Sequence, residues 1–261
     1  MKLENVIKGS YETVNGVINV FGNVDIASKG LTEIPWKFGV VTGNFYCFDN
    51  QLKSLKYCPV SIGGDFYCSN NKIISLKYCP VSISGNFNCN NNKLTSLKYC
   101  PVSIGVDFYC SNNQLKSLQY CPTSVGGSFY CSYNQLKSLQ YCPASVGRDF
   151  YCSNNKLTSL QYCPVSIGGD FYCNNNKLTS LQYCPTSVGG GFYCYENPLK
   201  SLDGVSLDIL MKIPNILGYF PKLVKMIPLP VGYYNELERL IKKKVKSRIK
   251  SVSYKKRLES I

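Results

Sequence analysis

The stretch Phe108–Ser128, FYCSNNQLKSLQYCPTSVGGS, is followed at once by FYCSYNQLKSLQYCPASVGRD. The second copy starts 21 residues after the first, and the same spacing extends in both directions. Phe recurs at 45, 66, 87, 108, 129, 150, 171 and 192, with Cys two residues later, from Cys47 to Cys194. Three residues beyond each of these Cys stands Asn50, Asn71, Asn92, Asn113, Asn134, Asn155, Asn176 or Asn197. An apolar pair comes next, Leu52 and Leu55 in the first copy, and a Cys-Pro closes seven units, from Cys58-Pro59 to Cys184-Pro185. The two cysteine rows account for all 15 cysteines. Self-similarity at a short fixed period marks a solenoid, whose turns bury their apolar faces only by stacking on one another. One period before Phe45, Val24, Ile26, Leu31 and Ile34 take the apolar places, and Lys29 stands where Asn is due. Nine units are therefore expected over residues 22–202, the first degenerate. Residues 1–21 read as an N-terminal cap segment and 203–261 as a C-terminal segment of different character.

Within Phe-x-Cys, alternate residues share a face, as a strand requires. Phe and Cys are expected inside and the residue between them outside, in parallel strands stacked roughly 4.8 Å apart. The Asn row is polar and recurs inside the core pattern. It can be stable only if each side chain bonds neighbouring backbone, because an unsatisfied member costs about 1–3 kcal/mol. The thiols read as small apolar plugs. Disulfides between adjacent turns and a metal site are the alternatives. Neither is favoured: no CxxC occurs, no His is present to complete a tetrahedral site, and the expected compartment is reducing.

The unit F-x-C-x-x-N-x-L-x-S-L-x-Y-C-P-x-S-[IV]-G resembles the leucine-rich-repeat pattern L-x-x-L-x-L-x-x-N-x-L. Phe66 and Cys68 match two strand Leu places, Asn71 the Asn, and Ile73 the Leu after it. The Cys-Pro falls where short repeats of bacterial effectors carry Leu-Pro. Closely similar Phe-Tyr-Cys-x-x-Asn arrays occur in uncharacterised repeat proteins of giant DNA viruses of the mimivirus type. The resemblance implies a repeat solenoid with a parallel β-sheet on its concave face, where proteins of this family usually bind partners. A mostly irregular convex side and a C-terminal α-helical segment complete the expected fold.

On that face the expected binding rows are Tyr46, Tyr67, Tyr109, Tyr130, Tyr151, Tyr172 and Tyr193, interrupted by Asn88, and Asp65, Asp107, Asp149 and Asp170. A third row is mainly Ser and Asn, as at Ser69, Asn70, Ser111 and Asn112. Tyrosine is enriched at interfaces, but a stacked row can equally serve to shield and stabilise a sheet. Because the turns are nearly identical, a repetitive ligand, self-association or a structural role competes with recognition of one irregular protein surface.

The formal net charge is +14, and the segment from 203 holds 13 basic and 5 acidic residues, so +8 of it lies there. From Asn235 the pattern turns helical: Asn235 and Glu238 resemble a capping box, and Leu237, Ile241, Val245, Ile249 and Val252 share a face. The basic residues include Lys242, Lys243, Lys244, Lys246, Arg248 and Lys250. Such a helix either caps the solenoid or makes electrostatic contact with nucleic acid or an anionic membrane. The chain contains no His, which removes the commonest general base and metal ligand. No catalytic residue, metal or cofactor is expected. The last cysteine, Cys194, lies within the array, unlike the C-terminal catalytic Cys of bacterial ubiquitin ligases that carry similar repeats. With neither a signal-peptide pattern nor a long apolar run, the expected setting is intracellular.

Overall fold

The computed structural model describes residues 1–202 and 205–214. Strand β1 (Ile7–Val14) and strand β2 (Val17–Asp25) form an antiparallel hairpin with Val14 opposite Val17. The two turn residues, Asn15 at φ 51° and Gly16 at φ 73°, are both left-handed, as a two-residue I′ hairpin demands. β2 crosses the boundary expected at 21/22 and opens both rows of the solenoid. Its first half pairs in parallel with β3 (Phe38–Val41), and its end pairs with β4 (Phe45–Tyr46).

From β4 onward the chain winds as a parallel β-solenoid. Phe-Tyr strands stack in register from Phe45–Tyr46 to Phe192–Tyr193, each pairing with its equivalent one turn away. A second row of two-residue strands, from β5 (Ser61–Ile62) to Ser187–Val188, precedes the Phe-Tyr row by three residues, and the remainder of each turn is mostly irregular, as expected. The physical reason for the second row lies in the Ser-Ile or Ser-Val pair. Its β-branched member is buried at 1–4% exposure in every turn, and such residues favour extended backbone.

The core is one continuous column. All eight Phe, the inner Cys row and the paired Leu of successive turns are buried within it. Phe66, Phe87, Phe108, Phe129, Phe150 and Phe171 stack on their neighbours with centroids 5.3–5.5 Å apart. The degenerate first turn contributes Val24, Ile26 and Ile34, all buried. At the other end Ser206 caps helix α1 (Leu207–Lys212) by accepting the Ile209 N–H at 3.3 Å. Ile209, Leu210 and Ile213 join the column there. The basic helix expected from Asn235, with Lys242 to Lys250, lies outside the described residues.

Candidate functional site

Two polar ladders fix the faces of the coil. In the first, each Asn ties its own turn to the one before. Asn113 Nδ2 donates to the Cys89, Cys110 and Ser111 carbonyls at 3.0, 3.2 and 3.2 Å, and its Oδ1 accepts the Leu94 N–H at 3.0 Å. The same set recurs from Asn50 to Asn197. The degenerate turn needs no Asn of its own, because Asn50 Oδ1 accepts from Lys29 and Leu31 N–H and Nδ2 donates to the Ile26 carbonyl. Among the described residues no buried side-chain N or O atom lacks a partner.

The second ladder runs through the row expected to be an exposed acidic strip. Asn23, Asn44, Asp65, Asn86, Asp107, Ser128, Asp149 and Asp170 each accept the backbone N–H of the equivalent residue one turn on. Asp65, Asp107, Asp149 and Asp170 are half-buried, each with one oxygen engaged in this way. The residue just before the donating N–H sets the fit. Where Gly precedes, the bonds are 2.6–2.8 Å; where Val106 or Arg148 stands there instead, they are 3.1 and 3.2 Å. At Gly127 a Cβ would collide with the Asp107 carboxylate.

Between the ladders lies the tyrosine row, half-buried rather than fully open. Tyr109, Tyr130, Tyr151, Tyr172 and Tyr193 form one face-to-face stack with centroids 4.3–4.5 Å apart and planes within 12°. Asn88 separates this stack from Tyr46 and Tyr67, which pair at 5.4 Å. The inner rings have both faces covered by their neighbours, so the row presents ring edges and hydroxyls. Tyr109 and Tyr172 hydroxyls donate to Asp107 and Asp170 Oδ2 at 2.9 and 3.0 Å. Burial, reinforced by those carboxylates, pushes both phenols well above their ordinary pKa. Ser69 and Ser111 in the third row are buried, while Asn70 and Asn112 are exposed. The resulting surface is a rigid strip of tyrosine edges, carboxylates and hydroxyls.

All 15 cysteines are free, the inner row buried and most of the outer row half-buried. Burial raises the Cys184 thiol to about 11 and Cys194 to about 12. A reactive nucleophile needs the opposite shift. No group of three or more His, Cys, Asp or Glu among the described residues is arranged to hold a metal ion.

A feature that periodicity did not reveal lies at the corner before each Cys-Pro. Tyr57, Tyr78, Tyr99, Tyr120, Tyr141, Tyr162 and Tyr183 are all left-handed, at φ 64–74°. The Cys58 N–H donates to the Leu55 carbonyl at 2.9 Å, closing a turn whose third residue has positive φ. Such a conformation costs an L-residue roughly 1–2 kcal/mol. The sequence signal was the position itself, immediately before Cys-Pro, occupied by the same residue in every turn.

Stacked parallel strands, an Asn ladder at the first corner and paired Leu beyond it make this chain a solenoid of leucine-rich-repeat type. No family model matches the chain and no curated protein matches it in sequence. Among solved structures it is similar to YopM from Yersinia enterocolitica WA-314, at 18% identity and a TM-score of 0.46. That match covers 72% of this chain and 52% of the other, so the chain spans about half of YopM's length. No helix among the described residues is long and apolar enough to cross a membrane.

Proposed function

We propose that this protein is a non-enzymatic interaction scaffold whose docking surface is the Phe-Tyr sheet. The observation that carries the reading is the strip of Tyr109 to Tyr193 edges beside Asp107, Asp149 and Asp170. It is pre-ordered by stacking and by the ladder, so a partner docks with little further ordering cost. Asp65 and Asp149 offer their second oxygens to donors, while those of Asp107 and Asp170 already accept tyrosine hydroxyls, an alternation that suits a partner bearing Lys, Arg or backbone N–H groups in a repeating pattern. A second copy of a regular chain fits that description as well as a foreign protein does. The absence of His from the sequence and the raised thiols argue against hydrolytic or thiol chemistry.

The likeness to giant-virus repeat arrays supports a viral origin and action in the host cytoplasm. The second reading, attachment to nucleic acid or an anionic membrane through Lys242, Lys243, Lys244, Lys246, Arg248 and Lys250, rests on sequence charge alone.

A comparative pull-down from a eukaryotic lysate, with and without nuclease, tests both. It uses the full chain, a strip variant (Tyr130→Ser with Tyr151→Ser) and a tail variant (Lys242→Gln, Lys243→Gln, Lys244→Gln). A discrete partner lost with the strip variant and kept with the other two conditions supports the scaffold. Retention that depends on the tail lysines or on nucleic acid replaces it with the second reading.

A further inference from the structure

The solenoid has two rows of left-handed residues, filled by different rules. At the corner beside the Asn ladder the row is Asp49, Asn70, Asn91, Asn112, Asn154 and Asn175, with Tyr133 and Glu196 as exceptions. Asn and Asp tolerate this conformation, so that corner is filled largely as backbone geometry alone requires. The other row is Tyr in all seven turns, from Tyr57 to Tyr183. Conformation alone selects Gly or Asn at such a place, so the tyrosines need a separate cause.

Packing among the described residues does not supply one. Tyr57 is 38% exposed and the remaining six are 50–59% exposed. Unlike the stacked row on the Phe-Tyr sheet, these rings make no ring–ring contact among the described residues. Lys56, Lys77 and Lys98 place ammonium groups over Tyr57, Tyr78 and Tyr99, at 4.7, 5.1 and 5.2 Å from the centroids. In the next four turns Gln119, Gln140, Gln161 and Gln182 replace these lysines, and no cation among the described residues covers the ring face.

Charge is segregated to the same flank. The seven segments between the ladder Asn and the corner Tyr, from 51–57 to 177–183, hold ten lysines and not one acidic residue. The acids of the eight regular turns sit in other columns, at Asp49, Asp65, Asp107, Asp149, Asp170 and Glu196, and in the degenerate turn Glu33 alone stands on this flank. The coil therefore presents a cationic flank edged by exposed tyrosines, three faced by lysine and four with no cation over them among the described residues, in columns separate from the acidic strip.

We propose that this Tyr-Lys flank is a track for single-stranded nucleic acid. Unpaired bases stack on the tyrosine faces, whatever their identity, while lysines along the segment meet the phosphates. The glutamine amides beside Tyr120 to Tyr183 add donors and acceptors for base edges. A duplex keeps its base faces covered and gains only the charge contacts. Seven rings at about 4.8 Å per turn run roughly 29 Å, in keeping with the about 4–16 nucleotides that such surfaces engage. The proposal stands apart from the protein-docking reading and from the C-terminal lysines.

The test uses the full-length protein and fluorescence anisotropy of a labelled oligothymidylate of about 20 nucleotides, against a duplex of equal length. Vesicles of phosphatidylserine and phosphatidylcholine serve as the competing surface. One variant carries Tyr120→Asn, Tyr141→Asn and Tyr162→Asn, residues the other left-handed row already accepts. A second carries Lys56→Gln, Lys77→Gln and Lys98→Gln, copying the later turns. A third carries the tail substitutions Lys242→Gln, Lys243→Gln and Lys244→Gln. The expected result is single-strand binding that falls at least about tenfold in the tyrosine variant. In the second variant the salt dependence should drop by about two in log–log slope. Should the tyrosine triple melt early, Tyr141→Asn alone provides the reading, with an expected loss of about fivefold. Binding indifferent to the tyrosine substitutions, a duplex held as tightly as the single strand, or loss confined to the tail variant overturns the proposal. So does a tyrosine-dependent interaction with vesicles in place of the oligonucleotide.

Discussion

Asn113 reaches back 24 residues to donate to the Cys89 carbonyl at 3.0 Å, and in the same move its own carbonyl accepts the Leu94 N–H. One buried side chain thus satisfies backbone groups of two turns at once.

Asn113→Ala should therefore lower stability by about 2–4 kcal/mol, since several buried backbone groups lose their partner at once. Asn112→Ala, at its exposed neighbour with φ 54°, should cost about 1 kcal/mol or less. Thermal melts of the two variants side by side check this. Equal shifts would contradict the ladder.

Gly127→Ala should destabilise by about 1–3 kcal/mol, because its Cβ meets the Asp107 carboxylate that holds the Ser128 N–H. Val106 and Arg148 show how the coil adapts, with the ladder bond stretched rather than broken. Slower amide exchange at Ser128 than at Asp149 in the wild type, reduced by the substitution, is the local readout.

Asn88→Tyr should join Tyr67 to Tyr109 and make the two tyrosine groups one stack. Two new ring pairs favour the folded state by about 0.5–1.5 kcal/mol each, set against one lost bond from the Asn90 N–H to Asn88 Oδ1 at 3.0 Å. A small rise in melting temperature with stronger near-ultraviolet circular dichroism is expected. A fall in both would show that the gap is required.

Alkaline conditions should unfold the protein. Thiols in the unfolded chain ionise near about pH 8.5, whereas Cys184 and Cys194 keep their protons to about 11 and 12 in the fold. Above pH 8.5 the unfolded state therefore binds fewer protons than the native one, and stability falls as pH rises toward 11–12. With a reductant present to prevent oxidation, melts at pH 7.5 and pH 10 should differ widely. Substituting the outer-row cysteines by Ala should flatten the dependence. An unchanged melting temperature at pH 10 would mean that the thiols are not held neutral.

Much of this architecture could be read from residue spacing. Phe45 to Phe192, the inner cysteines and the paired Leu announce their equivalence by recurring every 21 residues, and the inward Asn follows from their pattern. What spacing does not carry is torsion. Asn70 and Tyr78 repeat equally well, yet nothing in the period says that both are left-handed. The Asp65 row was misleading for a different reason. Carboxylates usually face water, and only the neighbouring glycines hinted that backbone approaches them closely. Asn15-Gly16, between Val14 and Val17, is a local hairpin signal that lies outside the 21-residue period. Which surface binds a partner is not written in the period, since nearly identical turns make every face of the coil equally regular.

The ladder also has a direction. Each Asn serves the turn before it, from Asn50 acting on Lys29 and Leu31 to Asn197 acting on Leu178. A chain leaving the ribosome N-terminus first cannot complete any turn until the next has been made, a lag of about 1–4 s per 21 residues at ordinary elongation rates. The growing end is always one coil in arrears. It is released from that debt at Asn197, where Pro198 has no N–H to offer and Leu199 N–H turns back to the Asn197 carbonyl at 2.8 Å.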